Sequence, residues 1–495
     1  MALSQTTDRP CAVSARRAIL ALCLAVLALS GLAARSAAAV PRPLHTGVSY
    51  VTDDAAALRH VAETGSSLVQ TPLRWNVVAP ETEPAQWNPE NPADPHYDWS
   101  FPDEWVKQAV QAGLTPVFQI RSAPSWADGC EPTASPFDAV CSPDPAALAA
   151  FTRAAVRRYS GSFEGLPRVR HWQALNEPNL SLFFQPQFEG SKLVSPTIYR
   201  KLLNTVYAAV KSVEPSDLVM AAGLGPIAVP GYTIGPMKFA RQLLCMGGGP
   251  KPKPTAGNCE GGVHFDIFDI HPYTSGSPSH KGGPNNVEMG DLAKLQNLLH
   301  AADRAGRIKN TVKGQTPLWV TEFSYDSKPP DPGGLAMKIE AQWIPEALHE
   351  AWLAKVSNFF WYSLTDSEPE PSRPFSETLQ SGLYFWAPGI AEQQPKPAMY
   401  AFRFPFLAIR SGNGLEFWGR TPNSRGGRIV LQAKTGGHWR QAGVARANSV
   451  GIFEGFLRTG YGADKKGEVR ALFSKQASPG FPMRRAGDFP QPPFG

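Results

Sequence analysis

Arg170-His171-Trp172-Gln173-Ala174-Leu175-Asn176-Glu177-Pro178-Asn179 decides the fold. The apolar residues before Asn176 predict a buried strand over 169–175. That strand runs straight into a loop carrying an Asn-Glu pair. An acid at the mouth of a strand, with Pro behind it, builds a core badly. It aims a carboxyl group into a cleft well. A second place of this kind is Pro317-Leu318-Trp319-Val320-Thr321-Glu322-Phe323. Two strand ends, each with a glutamate, predict a catalytic pair.

Outward from these two, short apolar runs alternate with amphipathic stretches. Strands are expected over 47–50, 67–74, 115–120, 169–175, 218–222, 265–273, 318–322 and 359–364. Helices are expected between them, among them one opened by Asp144-Pro145, one over 337–356 with a break near Pro345, and a closing one over 398–409. Eight β/α units predict a (β/α)8 TIM barrel over 40–410, with its chemistry on loops at the C-terminal ends of the strands. The surplus length falls in 77–100, 122–143, 223–262 and 274–287, loops expected to wall a cleft.

After Arg410 the pattern changes to short alternating runs separated by glycine turns, which predicts a small antiparallel β-sandwich over 411–474. Residues 475–495 are rich in Pro and Gly without periodicity, so a disordered tail is expected.

Residues 1–39 read as a secretory signal: Arg9, Arg16 and Arg17, an apolar run over 18–29, then Ala37-Ala38-Ala39. Export to the extracellular space or cell envelope is expected. The rival is an uncleaved N-terminal anchor, although the run is short for a span of about 20 residues. Loss of 1–39 removes four Arg and one Asp, so the formal charge falls from +6 to +3. That value implies neither nucleic acid nor an acidic membrane surface as partner. Cys130, Cys141, Cys245 and Cys259 remain, and allow three pairings. Local pairs, 130 with 141 and 245 with 259, are expected as staples of two long loops in an oxidising compartment. Zinc is disfavoured, because there is no C-x-x-C and no adjoining His set.

Two carboxyl groups facing each other across a barrel mouth are what glycosidic hydrolysis needs. One protonates the departing oxygen while the other attacks the anomeric carbon or activates water. Trp172 with Asn176-Glu177-Pro178-Asn179, and Trp319 with Thr321-Glu322-Phe323, resemble the acid/base and nucleophile motifs of the clan A retaining glycoside hydrolases, families 39 and 5 in particular. The resemblance covers roughly residues 45–410 and implies a (β/α)8 barrel. It implies Glu177 as general acid/base and Glu322 as nucleophile. Asn176 is implied to bind the sugar 2-hydroxyl, Tyr273 to hold the nucleophile and His271 to line the cleft. Arg74, ending the second strand, is implied to keep the nucleophile ionised, and Trp361 to lie under the reacting sugar. Ala123-Pro124-Ser125-Trp126 resembles a cleft-wall motif of family 39. The implied substrate is a β-linked poly- or oligosaccharide, with an α-L-arabinofuranoside also within the clan's range, and no cofactor.

Other assignments stay open beside these. Each glutamate also fits a structural salt bridge at a barrel rim. A carbohydrate-binding protein that kept the barrel and lost turnover is the rival function. His264, Asp266, Asp269 and His271 suggest a metal site, but alternation puts them on two faces of one strand, so no metal is expected. Trp75, Trp126, Trp361 and Trp386 fit sugar stacking or packing equally. Asp366 is expected as a solvated loop acid. The C-terminal sandwich is expected to pack on the barrel rather than bind sugar. The sequence leaves the oligomeric state and the glycan open.

Overall fold

The structure, a computed structural model, describes residues 41–130, 139–255, 259, 261–458 and 467–484. The signal segment lies outside them. Eight strands close a barrel: β1 His45–Ser49, β2 Leu68–Arg74, β3 Thr115–Arg121, β4 His171–Ala174, β5 Leu218–Leu224, β6 Ile267–Ile270, β7 Leu318–Val320 and β8 Val356–Trp361. Each pairs in parallel with its sequence neighbours, and β1 pairs with β8. The period-2 pattern explains the filling. Leu68, Val117, Met220, Ile267, Trp319 and Phe360 meet inside the barrel. The residues between them face outward onto the helices. Phe360 fits because Gly47, opposite it on β1, carries no Cβ that would strike the ring.

The helices are α1 Ala55–Glu63, α2 Ser100–Gln111, α3 Pro145–Arg158, α4 Ser195–Val213, α5 Pro236–Leu244, α6 Leu292–Arg304, α7 Met337–Leu353 and α8 Pro397–Arg403. Asp144 caps α3, accepting from the Ala147 amide at 2.8 Å, with Pro145 at the first helical position. This is the start that Asp144-Pro145 predicts. Pro345 sits inside α7, yet the helix runs on to Leu353 without the expected break.

The expected closing helix over 398–409 is corrected. Helix α8 stops at Arg403 and a strand, β9 Phe406–Ser411, follows. Pro405 explains the stop, since it has no amide to donate and pushes the preceding residue out of helical geometry. β9 pairs antiparallel with β10 Gly414–Arg420. β11 Gly427–Thr435, β12 His438–Ala447, β13 Ile452–Arg458 and β14 Glu468–Phe473 complete the region. They form a three-stranded sheet, β9-β10-β13, and a second sheet around β12-β11-β14. Part of the expected disordered tail is ordered: Gln476–Ala477 and Phe481–Pro482 both pair with β14. Phe481 is buried there, an apolar anchor among Pro and Gly. Residues 485–495 lie outside the described residues.

The sheets are fixed to the barrel. Trp418 of β10 is buried against His349 and Trp352 at the end of α7. Arg420, fully buried, donates from Nη2 to Thr46 Oγ1 on β1 at 3.1 Å. Helices of such a barrel end near the strand starts, and Thr46 lies at the start of β1. The attachment is therefore at the end of the barrel away from the mouth.

Both disulfides form as local pairs, Cys130–Cys141 and Cys245–Cys259, with Cα separations of 5.4 and 6.2 Å. They occupy opposite ends. Cys141 follows β3, on the mouth side. Cys245 closes α5, so its bridge belongs to the return toward β6, at the base. Only the first part of 223–262 walls the mouth, because α5 occupies the middle.

Candidate active site

Glu177 and Glu322 emerge from the C-terminal ends of β4 and β7, and both are buried. The chain reaches Glu177 through unusual geometry. Leu175 has φ +63° and Glu177 φ +39°, the left-handed region that a side chain with Cβ disfavours. Strain of this kind at a strand mouth is held in place by its surroundings. Gly225 is one reason: a Cβ there would sit 3.1 Å from Glu177 Oε1.

One imidazole joins the two acids. His271 Nδ1 lies 3.0 Å from Glu177 Oε1 and 3.6 Å from Glu322 Oε2. Those two oxygens are therefore at most about 6.6 Å apart, at or below the short end of the separations that leave room for a water between two carboxyl groups. The far nitrogen of His271 is 3.0 Å from Thr321 Oγ1. Thr321 is gripped in turn by Asp269, whose carboxylate accepts from both its amide and its hydroxyl. Asp269, His271 and Tyr273 share the inward face of β6 and its extension, as alternation requires.

Tyr273 donates its hydroxyl to Glu322 Oε2 at 3.1 Å. Glu322 Oε1 is buried and has no hydrogen-bond partner among the described residues. One oxygen is held and the other is left unpartnered among the described residues. Burial pushes the Glu322 carboxyl above the usual carboxylate range. The His271 charge opposes that rise, Glu177 adds to it, and the Tyr273 hydroxyl and the Arg121 guanidinium pull downward. For His271, burial opposes the charge, but Glu322, Asp269 and Glu177 outweigh it and raise its pKa well above the ordinary value. The imidazolium between two carboxyls is what lets both acids occupy one small space.

Asn176 is buried, its side-chain oxygen accepting from Gln119 Nε2 at 2.9 Å. Gln119 accepts in turn from the Tyr50 hydroxyl at 2.9 Å, and Arg121 Nη1 donates to Tyr50 at 2.7 Å. This relay orients Asn176 beside Glu177.

The role given to Trp361 is corrected here. Arg74 is exposed at the end of β2. The guanidinium of Arg121, its neighbour in register at the end of β3, pulls the Glu322 carboxyl downward. Trp361 is fully buried on the outer face of β8, packed on Phe402, with Nε1 donating to the Ser381 carbonyl at 2.7 Å. It cannot lie under a sugar in the cleft. Phe360 points inward and Trp361 outward, so Tyr362 comes back to the mouth. The Tyr362 ring meets Tyr50 edge-on at 5.0 Å, and the charges of Glu322 and Glu177 help burial to raise its pKa.

Trp126 is half-buried, edge-on to Trp75 and Trp87, with Nε1 donating to the Pro80 carbonyl. Its contacts tie the loop after β3 to the loop after β2. Asp366 is buried, not solvated, and pairs with Lys396 at 2.5 Å. Asp266 pairs with Lys211 at 2.8 Å on the outer face of β6, apart from Asp269 and His271. Tyr50, Gln119, Arg121 and Tyr362 are the site residues missed in the sequence. Their signal is position: each is at, or one turn of the pleat below, the mouth end of its strand.

No family model matches the chain, and no curated protein does. Solved structures do. A family 39 glycoside hydrolase from the gut symbiont Bacteroides cellulosilyticus superposes with a TM-score of 0.50 at 18% identity, covering 84% of this chain and 79% of that one. What the two share is a fold. A glucosidase from Croceicoccus marinus covers 84% of this chain and 96% of its own at 14% identity, with a TM-score of 0.46. A GH30 endoxylanase from Clostridium papyrosolvens covers 84% and 94% at 11% identity, with a TM-score of 0.44. The barrel with its C-terminal antiparallel sheets is the architecture expected from the strand pattern.

Proposed function

We propose that the protein is a glycoside hydrolase that works with retention through Glu177 and Glu322. One observation carries this: two buried carboxyl groups share His271, with oxygens no more than about 6.6 Å apart, and one oxygen of Glu322 has no hydrogen-bond partner among the described residues. Retention calls for carboxyl groups about 5–5.5 Å apart, inversion for about 6.5–9.5 Å.

In the first step the Glu322 carboxylate attacks the anomeric carbon and the glycosidic C–O bond breaks. Glu177 gives its proton to the departing oxygen, so the aglycone leaves as an alcohol. A glycosyl ester on Glu322 remains. In the second step Glu177, now a carboxylate, takes a proton from water. The water oxygen bonds to the anomeric carbon, and the ester C–O bond breaks to restore Glu322. Positive charge developing on the sugar ring in both transition states favours the ionised form of Glu322, which burial alone disfavours. Asn176, held beside Glu177 by Gln119, is the residue we assign to the sugar 2-hydroxyl. Tyr362 and Tyr50 take the place under the sugar that the sequence suggests for Trp361.

The substrate class we propose is a β-linked glycoside. Export before action is part of the same proposal, supported by the apolar run over 18–29 and two disulfides. The test is a panel of 2-deoxy-2-fluoro glycosyl fluorides followed by peptide mass mapping. A glycosyl adduct on the peptide carrying Glu322 is the expected result. An adduct elsewhere overturns the assignment of roles, and hydrolysis that inverts the anomeric centre overturns the mechanism.

A further inference from the structure

The acid/base residue marks the side of the cleft on which the leaving group lies, because it must reach the departing oxygen. Two segments build that side: 180–183 after β4, and 225–234 after β5. Neither contains a charged residue. They are joined by an antiparallel bridge between Leu180 and Thr233 and by the Ser181 amide donating to the Tyr232 carbonyl at 3.3 Å. Asn179, two residues past Glu177 and fully buried, clamps both ends of the second segment. Its Nδ2 donates to the carbonyls of Gly225, at 3.1 Å, and Ile234, at 2.9 Å, and its Oδ1 accepts from the Gly225 amide at 2.9 Å. The segment thus starts against the Glu177 carboxyl, where a Cβ on Gly225 would lie 3.1 Å from Oε1.

On this frame four large apolar side chains face solvent: Leu182 is 45% exposed, Ile227 43%, Val229 40% and Tyr232 67%. Sugars are bound by hydrogen-bonding groups and flat aromatic faces. Branched aliphatic side chains do neither, and holding three in water beside a catalytic mouth loses their burial for nothing unless something apolar covers them. The rest of the mouth, built from Asn176, Gln119, Tyr50, Arg121 and Tyr273, is polar.

We infer that the leaving-group side of this cleft accepts an apolar aglycone, an alkyl or aryl group, laid along Ile227, Val229, Tyr232 and Leu182. This rests on the glycosidase reading of Glu177 and Glu322. The natural substrate is then an amphiphilic glycoside, with its sugar among the polar groups and its hydrophobic portion on the 225–234 segment.

Methyl and octyl β-glycosides of glucose, xylose, mannose and arabinose, assayed in parallel for kcat/KM, provide the test. For whichever sugar is cleaved, the octyl glycoside is expected to be favoured at least about tenfold over the methyl. In an Ile227→Ser/Val229→Ser/Tyr232→Ser variant that ratio is expected to fall toward one. Leu353→Ser, an exposed control at the end of α7, should leave the ratio as it was. Equal use of methyl and octyl glycosides by the wild type overturns the inference, and so does a ratio that survives the triple substitution. Absence of turnover on every glycoside overturns the glycosidase reading beneath it. Cleavage without octyl preference leaves that reading standing and removes only this one.

Discussion

Glu322→Gln separates a catalytic carboxyl from a structural ion pair by the sign of its effect on stability. In the wild type Glu322 is buried, Oε1 is unpartnered among the described residues, and the Tyr273 hydroxyl at 3.1 Å serves Oε2. Its pKa is pushed up from 4.5 to about 7, with burial as the largest cause. Ionised Glu322 therefore strains the fold at neutral pH. Each tenfold weakening of a carboxyl's acidity on folding corresponds to about 1.4 kcal/mol of such strain. The amide keeps the shape and still accepts from Tyr273. Part of the gain is returned, because His271 loses one of the carboxylates that raise it. A net stabilisation on the order of 1–2 kcal/mol remains, which in a chain this long raises Tm by about 1–2 °C. For an acid with a raised folded pKa the direction is fixed. Below the unfolded value of 4.5 both states hold the proton and the variant gains nothing. The gain grows as pH rises toward 7 and is complete above it. Scanning calorimetry of wild type and variant at pH 4.5 and pH 8 reads this directly, alongside loss of aryl β-glycoside turnover. A lower Tm for the variant at pH 8 would refute the reasoning and make Glu322 half of a structural ion pair.

Glu177→Ala should cost about 10²–10⁴-fold in kcat on alkyl glycosides, less on aryl glycosides with good leaving groups, and added azide should restore turnover; equal losses on both substrates count against general-acid catalysis. Tyr273→Phe removes the hydrogen bond from Tyr273 to Glu322, so kcat should fall at least about tenfold and the acid limb of the pH profile should move to higher pH. An unmoved limb would show that the hydroxyl does not act on Glu322. Arg121→Met should move that limb the same way while Arg74→Met leaves it in place, and the reverse order would return the role of cation to Arg74. Trp418→Ala should destabilise by about 3–5 kcal/mol in urea unfolding, with kcat unchanged below the transition; a stable variant would show that the C-terminal sheets are not seated on α7.

The barrel is legible because its signal repeats. Each strand shows the same short apolar run, so a misplaced end in one does not disturb the count of eight. Glu177 is legible because a carboxyl group followed by Pro at a strand mouth has no good packing explanation, and Glu322 because it ends a second apolar strand in the same way. Arg121 and Trp361 escape the sequence for a shared reason. Arg74 and Arg121 are register partners on adjacent strands, chemically alike and equally placed in sequence. Trp361 and Tyr362 are adjacent aromatics, and one step of a period-2 strand turns a sugar platform into core packing. Counting inward from Phe360 would have chosen Tyr362. The strand at 406–411 was hidden in a helical-looking run whose Pro405 is the visible warning. Asp366 misled because its partner, Lys396, lies 30 residues away in a loop that shows no periodicity.

Arg420 and Trp418 attach the C-terminal sheets to the end of the barrel that holds no chemistry. Lifetime and turnover are therefore written in different stretches of the chain. Loops at the mouth can be exchanged without loosening that attachment. Surfaces carrying the protein through a tether placed after Arg484 should leave the cleft facing the solution.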